Sequence, residues 1–213
     1  MTTDRLKDRM ARKTKEEAQD TRDRILNAAA TLFYEKGVSR TTLEDIAEAA
    51  GLTRGAIYWH FKNKLDLFSA LHEQLHGAFM AHVITTGSTE TDQPLKQLEA
   101  LCLATLRELD KDDAHRRALS IFTLKCDYSG DLAPFLEVQN CNKGEGMEVI
   151  HALFRKAIAL GQLRPDLDEN IVALSMFCYM CGIMSEYLRN PALFDMKKQA
   201  GPLVALFFRG LER

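Results

Sequence analysis

Apolar positions recur at helical spacing almost from end to end of this chain, and no segment alternates with the period of two that a strand requires. Over residues 18–35, Ile25, Leu26, Ala29, Leu32 and Phe33 form one stripe of a predicted helix, which Gly37 ends. Leu43, Ile46, Ala47 and Ala50 mark a second, shorter helix stopped by Gly51. Thr41 or Thr42 starts it, and Thr42 with Asp45 has the spacing of a capping box. Thr53 caps a third helix that runs to about His60. The segment FKNK then turns into a fourth, which begins near Lys64 or Leu65 and reaches about His82. Residues 85–94, TTGSTETDQP, read as a loop. Helices are predicted over 95–110, 113–127, 131–161, 168–189 and 195–212. NKGEG is a candidate break within 131–161, and Gly161 with Pro165 is the hardest stop in the second half. The pattern predicts an all-α fold, with an N-terminal three-helix helix-turn-helix domain over residues 1–64 and a larger C-terminal helical bundle over 65–213. The fourth helix is the connector.

The third helix has the least ordinary composition. TRGAIYWHF opens with a hydroxyl, a guanidinium and a glycine, and then crowds phenol, indole and imidazole into three positions. A short helix of this kind, docked across another by alanine and leucine, is what reading a major groove requires. Arg54 can donate two hydrogen bonds to guanine O6 and N7, while Gly55 and Ala56 leave room for backbone approach and a thymine methyl. Lys64 sits at a helix N-terminus, where backbone N–H groups can also face a phosphate. Arg22, Arg24 and Lys62 could flank the reading helix as phosphate clamps, although each taken singly also fits a solvated charged face. Ile57, Leu52, Trp59 and Phe61 are expected in the core of the module.

Bulk properties refine this reading without changing it. The 213 residues are 46% hydrophobic and 27% charged, with a net charge of −2. Residues 1–64 hold 13 Lys/Arg against 10 Asp/Glu, so a modest positive excess sits in the segment that contains the candidate DNA reader. The first 20 residues fit either a solvated tail or a basic arm. Five cysteines and no apolar leader fit free thiols in a cytoplasmic protein. The longest apolar run, IVALSMFCYMCGIM, reads as shorter than a membrane span, so no membrane partner is expected. That run and PLVALFFRGL are too apolar for solvent-facing helices, which points to burial against a twin subunit through residues such as Leu206 and Phe207.

RDRILNAAATLFYEKGVSRTTLEDIAEAAGLTRGAIYWHFKNKLDLF, within Thr21–Phe68, resembles the DNA-binding domain of the TetR/AcrR repressors. ARKTKEEAQDTR before it and LKCD at 124–127 resemble the branch that represses multidrug efflux pumps. The resemblance implies a homodimer on palindromic double-stranded operator DNA, released when a small lipophilic effector spreads the two reading heads. It assigns Thr42, Thr53, Arg54, Gly55, Ala56 and Tyr58 to the reading surface, and Tyr58, His60 and Lys64 to phosphate contacts. Helices near 168–189 and 195–212 would form the dimer. His76, Phe79 or Met80, Leu119, Phe122, Phe177, Met180 and Cys181 would line a pocket between the connector and the helices behind it. Some relatives have an acidic residue where this chain has Cys181 and an amide where it has Leu119. The softer wall favours neutral lipophiles over dications.

No constellation for catalysis stands out. Cys178 and Cys181 form a CxxC by count, but they lie one turn apart on a helix, with no histidine pair to complete a zinc set. His72 and His76 lack a third ligand, and Gly144 and Gly146 lack the Lys-hydroxyl pair of a phosphate loop. No metal, cofactor or enzymatic activity is expected. The rival readings are a helical protein-interaction module and a DNA-binding dimer that answers to no ligand.

Overall fold

The computed structural model describes the backbone of residues 2–110, 113–164 and 166–211. Their side chains are described except at 2–14, 75, 76, 78–80, 82, 88, 114 and 142. Among the described residues there are nine α-helices: α1 (Thr2–Lys36), α2 (Leu43–Ala49), α3 (Arg54–His60), α4 (Lys64–Ser88), α5 (Pro94–Leu109), α6 (Asp113–Leu124), α7 (Phe135–Ala159), α8 (Glu169–Arg189) and α9 (Met196–Arg209). A 3-10 turn, Gly130–Leu132, precedes α7.

Local chemistry explains most boundaries. Gly37 ends α1 at φ +83°, a conformation that costs an L side chain its Cβ clearance. Thr42 and Asp45 cap α2 reciprocally, side chain to backbone in both directions. Thr53 accepts from the Ala56 N–H at the start of α3, and Asn63 accepts from the Asp66 N–H at the start of α4. Asp168 and Asp195 do the same for α8 and α9.

α6 and α9 each end three residues before the predicted bound, and three larger departures from the sequence expectation stand beside them. The helix of α1 begins at Thr2, so the stretch read as an arm is helical in its backbone. α4 continues through TTGS to Ser88, and the loop starts only at Thr89. Gly87, within the stretch read as a loop, is a packing residue: a Cβ there would meet the Val149 Cγ1 of α7 at 2.2 Å. Its cost in helix propensity, about 1 kcal/mol, is offset by the close helix approach it permits. α7 runs unbroken through NKGEG, whereas the 3-10 turn and Pro134 divide the predicted 131–161 at its start.

Two apolar cores result. One unites Ile25, Phe33, Ile46, Ile57, Phe61 and Phe68 of α1–α4 with Ile121, Phe122, Leu132 and Phe135. The other lies among α5, α7, α8 and α9 and takes in Leu119. Full burial of side chains such as Phe33, Phe68, Phe135 and Phe154 contributes about 1.5–3 kcal/mol each. α6 supplies residues to both cores, with Leu119 in one and Ile121 and Phe122 in the other. The N-terminal module and the bundle are therefore joined by shared packing as well as by the α4 connector.

Candidate functional site

The helix-turn-helix is fixed from behind. α2 packs on both α1 and α3. Arg24 Nη2 donates to the Ala50 carbonyl at 2.7 Å, tying α1 to the C-terminal end of α2, where a cation is also favourable to the helix dipole. Gly51 takes φ +65° in the turn. Ile57 is fully buried, Phe61 nearly so, and the Arg22 guanidinium lies 5.4 Å from the Phe61 ring centroid. Arg22 and Arg24, read as candidate phosphate clamps, both hold the module together.

With Ile57 and Phe61 inward, the rest of α3 faces out. Thr53, Arg54, Gly55 and Tyr58 are exposed, Ala56 and His60 are half-buried, and Thr42 is exposed at the start of α2. Trp59 corrects the sequence reading, because it is 73% exposed instead of core. The physical reason is the length of α3. Two turns offer one inward position per turn, Ile57 and its i+4 neighbour take both, and Trp59 points away. Its indole stands edge-on to His60, with ring centroids 4.5 Å apart. Burial, and then the nearby Arg22 cation, hold the His60 imidazole below its usual pKa. Trp59 thus joins the outward surface, and counting inward positions on so short a helix is the signal that could have found it.

Two cationic side chains are already engaged. Arg54 Nε lies 3.2 Å from Glu44 Oε1, and its guanidinium is 5.5 Å from the Tyr58 ring centroid. Tyr58 donates its hydroxyl to the same Glu44 oxygen at 3.2 Å. The Lys64 ammonium donates to the carbonyls of Val38, Ser39 and Thr41 at 3.1, 3.4 and 3.2 Å. An ammonium has three protons, so the α1–α2 loop can use all of them. The same loop meets the end of α6 through the Val38 N–H and the Lys125 carbonyl at 3.4 Å.

The expected pocket residues separate. Leu119 and Met180 are buried in the bundle core, and Phe177 is half-buried. Phe122 lies in the other core, with Phe68 at 4.9 Å and His72 at 5.1 Å between ring centroids. Cys181 is exposed, as are Cys178 and Cys141, so these three thiols are not core. The side chains of His76, Phe79 and Met80 lie outside the described residues. His72 is buried against Phe122 and Phe135, and burial pushes its pKa down to about 4. Among the described residues no group of three or more His, Cys, Asp or Glu side chains could hold a metal ion.

The outer face of α8 and α9 is apolar. Leu206 of α9 is 68% exposed, Ile171 and Leu174 of α8 are also exposed, and Leu193 is exposed in the connection between the two helices. Phe207 is half-buried and stacks on Tyr179, ring centroids 5.5 Å apart, while the Tyr179 hydroxyl donates to the Leu203 carbonyl. A groove of about 560 Å³ runs here, lined by Tyr179, Ile183, Phe194 and Leu203 among others. By length and composition α8 does reach the dimensions of a membrane span, contrary to the sequence estimate. Its Val172, Ala173, Met176 and Met180 are packed in the bundle, as in the core helix of a multi-helix domain.

Both halves of the chain match known regulators. Residues 25–71 match the model of bacterial regulatory proteins of the tetR family, and residues 93–212 match the C-terminal region of MAATS-type transcriptional repressors. The chain belongs to the tetR family, and is accordingly a dimeric, DNA-binding transcriptional repressor. It is 40% identical over 192 residues to the HTH-type transcriptional regulator TtgR of Pseudomonas putida, covering 88% of this chain and 89% of that one. The crystal structure of NalD, the secondary repressor of the MexAB-OprM multidrug efflux pump in Pseudomonas aeruginosa, superposes with a TM-score of 0.85. It is 36% identical, with 93% of this chain and 98% of NalD covered. SmeT, the repressor of the Stenotrophomonas maltophilia multidrug efflux pump SmeDEF, is similar in its triclosan complex, with a TM-score of 0.80, 33% identity, and 91% and 92% coverage.

Proposed function

We propose that this repressor controls a multidrug efflux operon, and that a small lipophilic compound releases it from a palindromic operator. The observation that carries the reading is the similarity to efflux-pump repressors across both domains, not the helix-turn-helix alone. α3 lies in the major groove with Arg54 at base edges, and Thr42, Thr53, Gly55, Ala56, Tyr58 and His60 close to the duplex. Lys64 acts indirectly, by fixing the α1–α2 loop against α4. The exposed apolar face of α8 and α9 is buried against the second subunit, with Leu206 central to it.

The effector enters the bundle between α4 and the helices behind it, where Leu119, Phe177 and Met180 offer apolar, adaptable surface. Neutral compounds are preferred, because Leu119, Phe177 and Met180 bring no acidic partner for a buried cation. Two contacts transmit the response: α4 itself, and α6, whose Leu119 belongs to the bundle core and whose Phe122 belongs to the core of the DNA-binding module. A ligand that favours the spread arrangement must weaken operator binding by the same factor that the operator weakens ligand binding. The test is titration of antibiotics, flavonoids, dyes and triclosan against the protein bound to labelled duplex from upstream of its own gene. Release by apolar neutral compounds, diminished by Phe177→Ala, supports the reading. Ligand binding with no change in operator affinity defeats the switch.

A further inference from the structure

The side chains best placed to read DNA meet at a residue on the other helix of the motif. Glu44, in the first turn of α2, accepts from Arg54 Nε and from the Tyr58 hydroxyl through one oxygen, at 3.2 Å in each case. Arg54 and Tyr58 lie one turn apart on α3, with the guanidinium over the phenol ring at 5.5 Å. Arg54 is therefore held from two sides, although its side chain is 73% exposed. An unrestrained arginine at such exposure samples many rotamers, whereas a fork held by carboxylate and ring is preset in one direction.

We propose that Glu44 is a specificity-determining positioning residue of the DNA-binding surface. It orients Arg54 and Tyr58 before the duplex arrives, and its negative charge opposes phosphate, penalising every sequence alike. Only a duplex that presents the right acceptors to the oriented Arg54 offsets that penalty. Glu44 thus lowers non-specific affinity while sharpening discrimination at the base pair Arg54 reads, which is specificity through a repulsive element as well as an attractive one. Bidentate donation to guanine by Arg54 leaves Nε free to stay on Glu44, since the two terminal amino groups suffice for O6 and N7. The inference rests on α3 being the reading helix.

The experiment first selects preferred sites from random duplex with the wild-type protein. It then measures wild type, Glu44→Ala and Glu44→Gln on the selected site, on each single-base variant and on random duplex. Glu44→Ala should bind random duplex several-fold more tightly, and discrimination at one base pair in each half-site should fall by about tenfold. Glu44→Gln retains an acceptor without the charge, so it should keep most of that discrimination while sharing the gain on random duplex. Thermal unfolding controls for a structural effect, which would change affinity for all duplexes without selecting one position. Equal tightening on every duplex, with discrimination unchanged in both variants, would show that Glu44 is only a resting contact and overturn the proposal. A wild-type protein that selects no sequence would overturn the reading of α3 itself.

Discussion

Lys64→Ala separates two roles that one lysine cannot fill together. A lysine reaching phosphate would lower the salt slope of DNA binding by about one unit when removed. Here its ammonium donates to three carbonyls of the α1–α2 loop. Hydrogen bonds to a charged group are worth roughly 1.5–3 kcal/mol each, but the one to Ser39 is exposed and long, and the freed carbonyls are in part reached by water. Removing all three should cost about 2–4 kcal/mol of stability. Urea unfolding of the free protein reads that cost, and operator affinity between 50 and 200 mM salt, about the range where phosphate contacts dominate, reads the slope. The expected outcome is a lower unfolding midpoint with the slope unchanged. Unchanged stability with a slope lowered by one would return Lys64 to the phosphate backbone and refute the structural assignment.

Arg54→Ala should cost about 1–3 kcal/mol on the operator and much less on random duplex, measured by anisotropy; equal losses on both would make it a backbone contact. Leu206→Glu, which places a charge in the exposed apolar face proposed as the dimer interface, should give monomer by sedimentation and lose the palindrome; a variant that stays dimeric would move the interface elsewhere. His72 has a folded pKa of about 4 against an ordinary value of 6.5. Its neutral form is the one the fold accepts, so its contribution is complete above pH 6.5 and declines as pH falls from there towards 4, by roughly 3 kcal/mol in all. Urea unfolding across that range should show a weaker pH dependence in His72→Phe than in wild type, and parallel curves would sink the assignment.

The helix-turn-helix was legible because its signals are local: the Thr42–Asp45 box, Gly51 in the turn and Thr53 as a cap each act within four residues. Legibility failed where tertiary contact overrides local preference. The stretch around Gly87 looks like a loop until Val149 is seen to press against that glycine, and Trp59 looks like core until Ile57 and Phe61 are seen to fill the inward face of α3. The three carbonyl partners of Lys64 are not legible either, because they lie 23–26 residues earlier in the chain. The family resemblance places Phe122 at the pocket, and its packing in the aromatic cluster with Phe68, His72 and Phe135 is not legible in the sequence.

The central claim is that effector and operator oppose each other through one protein. Its most direct measurement is the affinity of a neutral lipophile such as triclosan for the dimer, free and saturated with operator, beside the operator affinity with and without that lipophile. The account predicts weakening by the same factor in both directions, about 5–150-fold for couplings of ordinary size. Tight lipophile binding with a factor of one in both directions would contradict it.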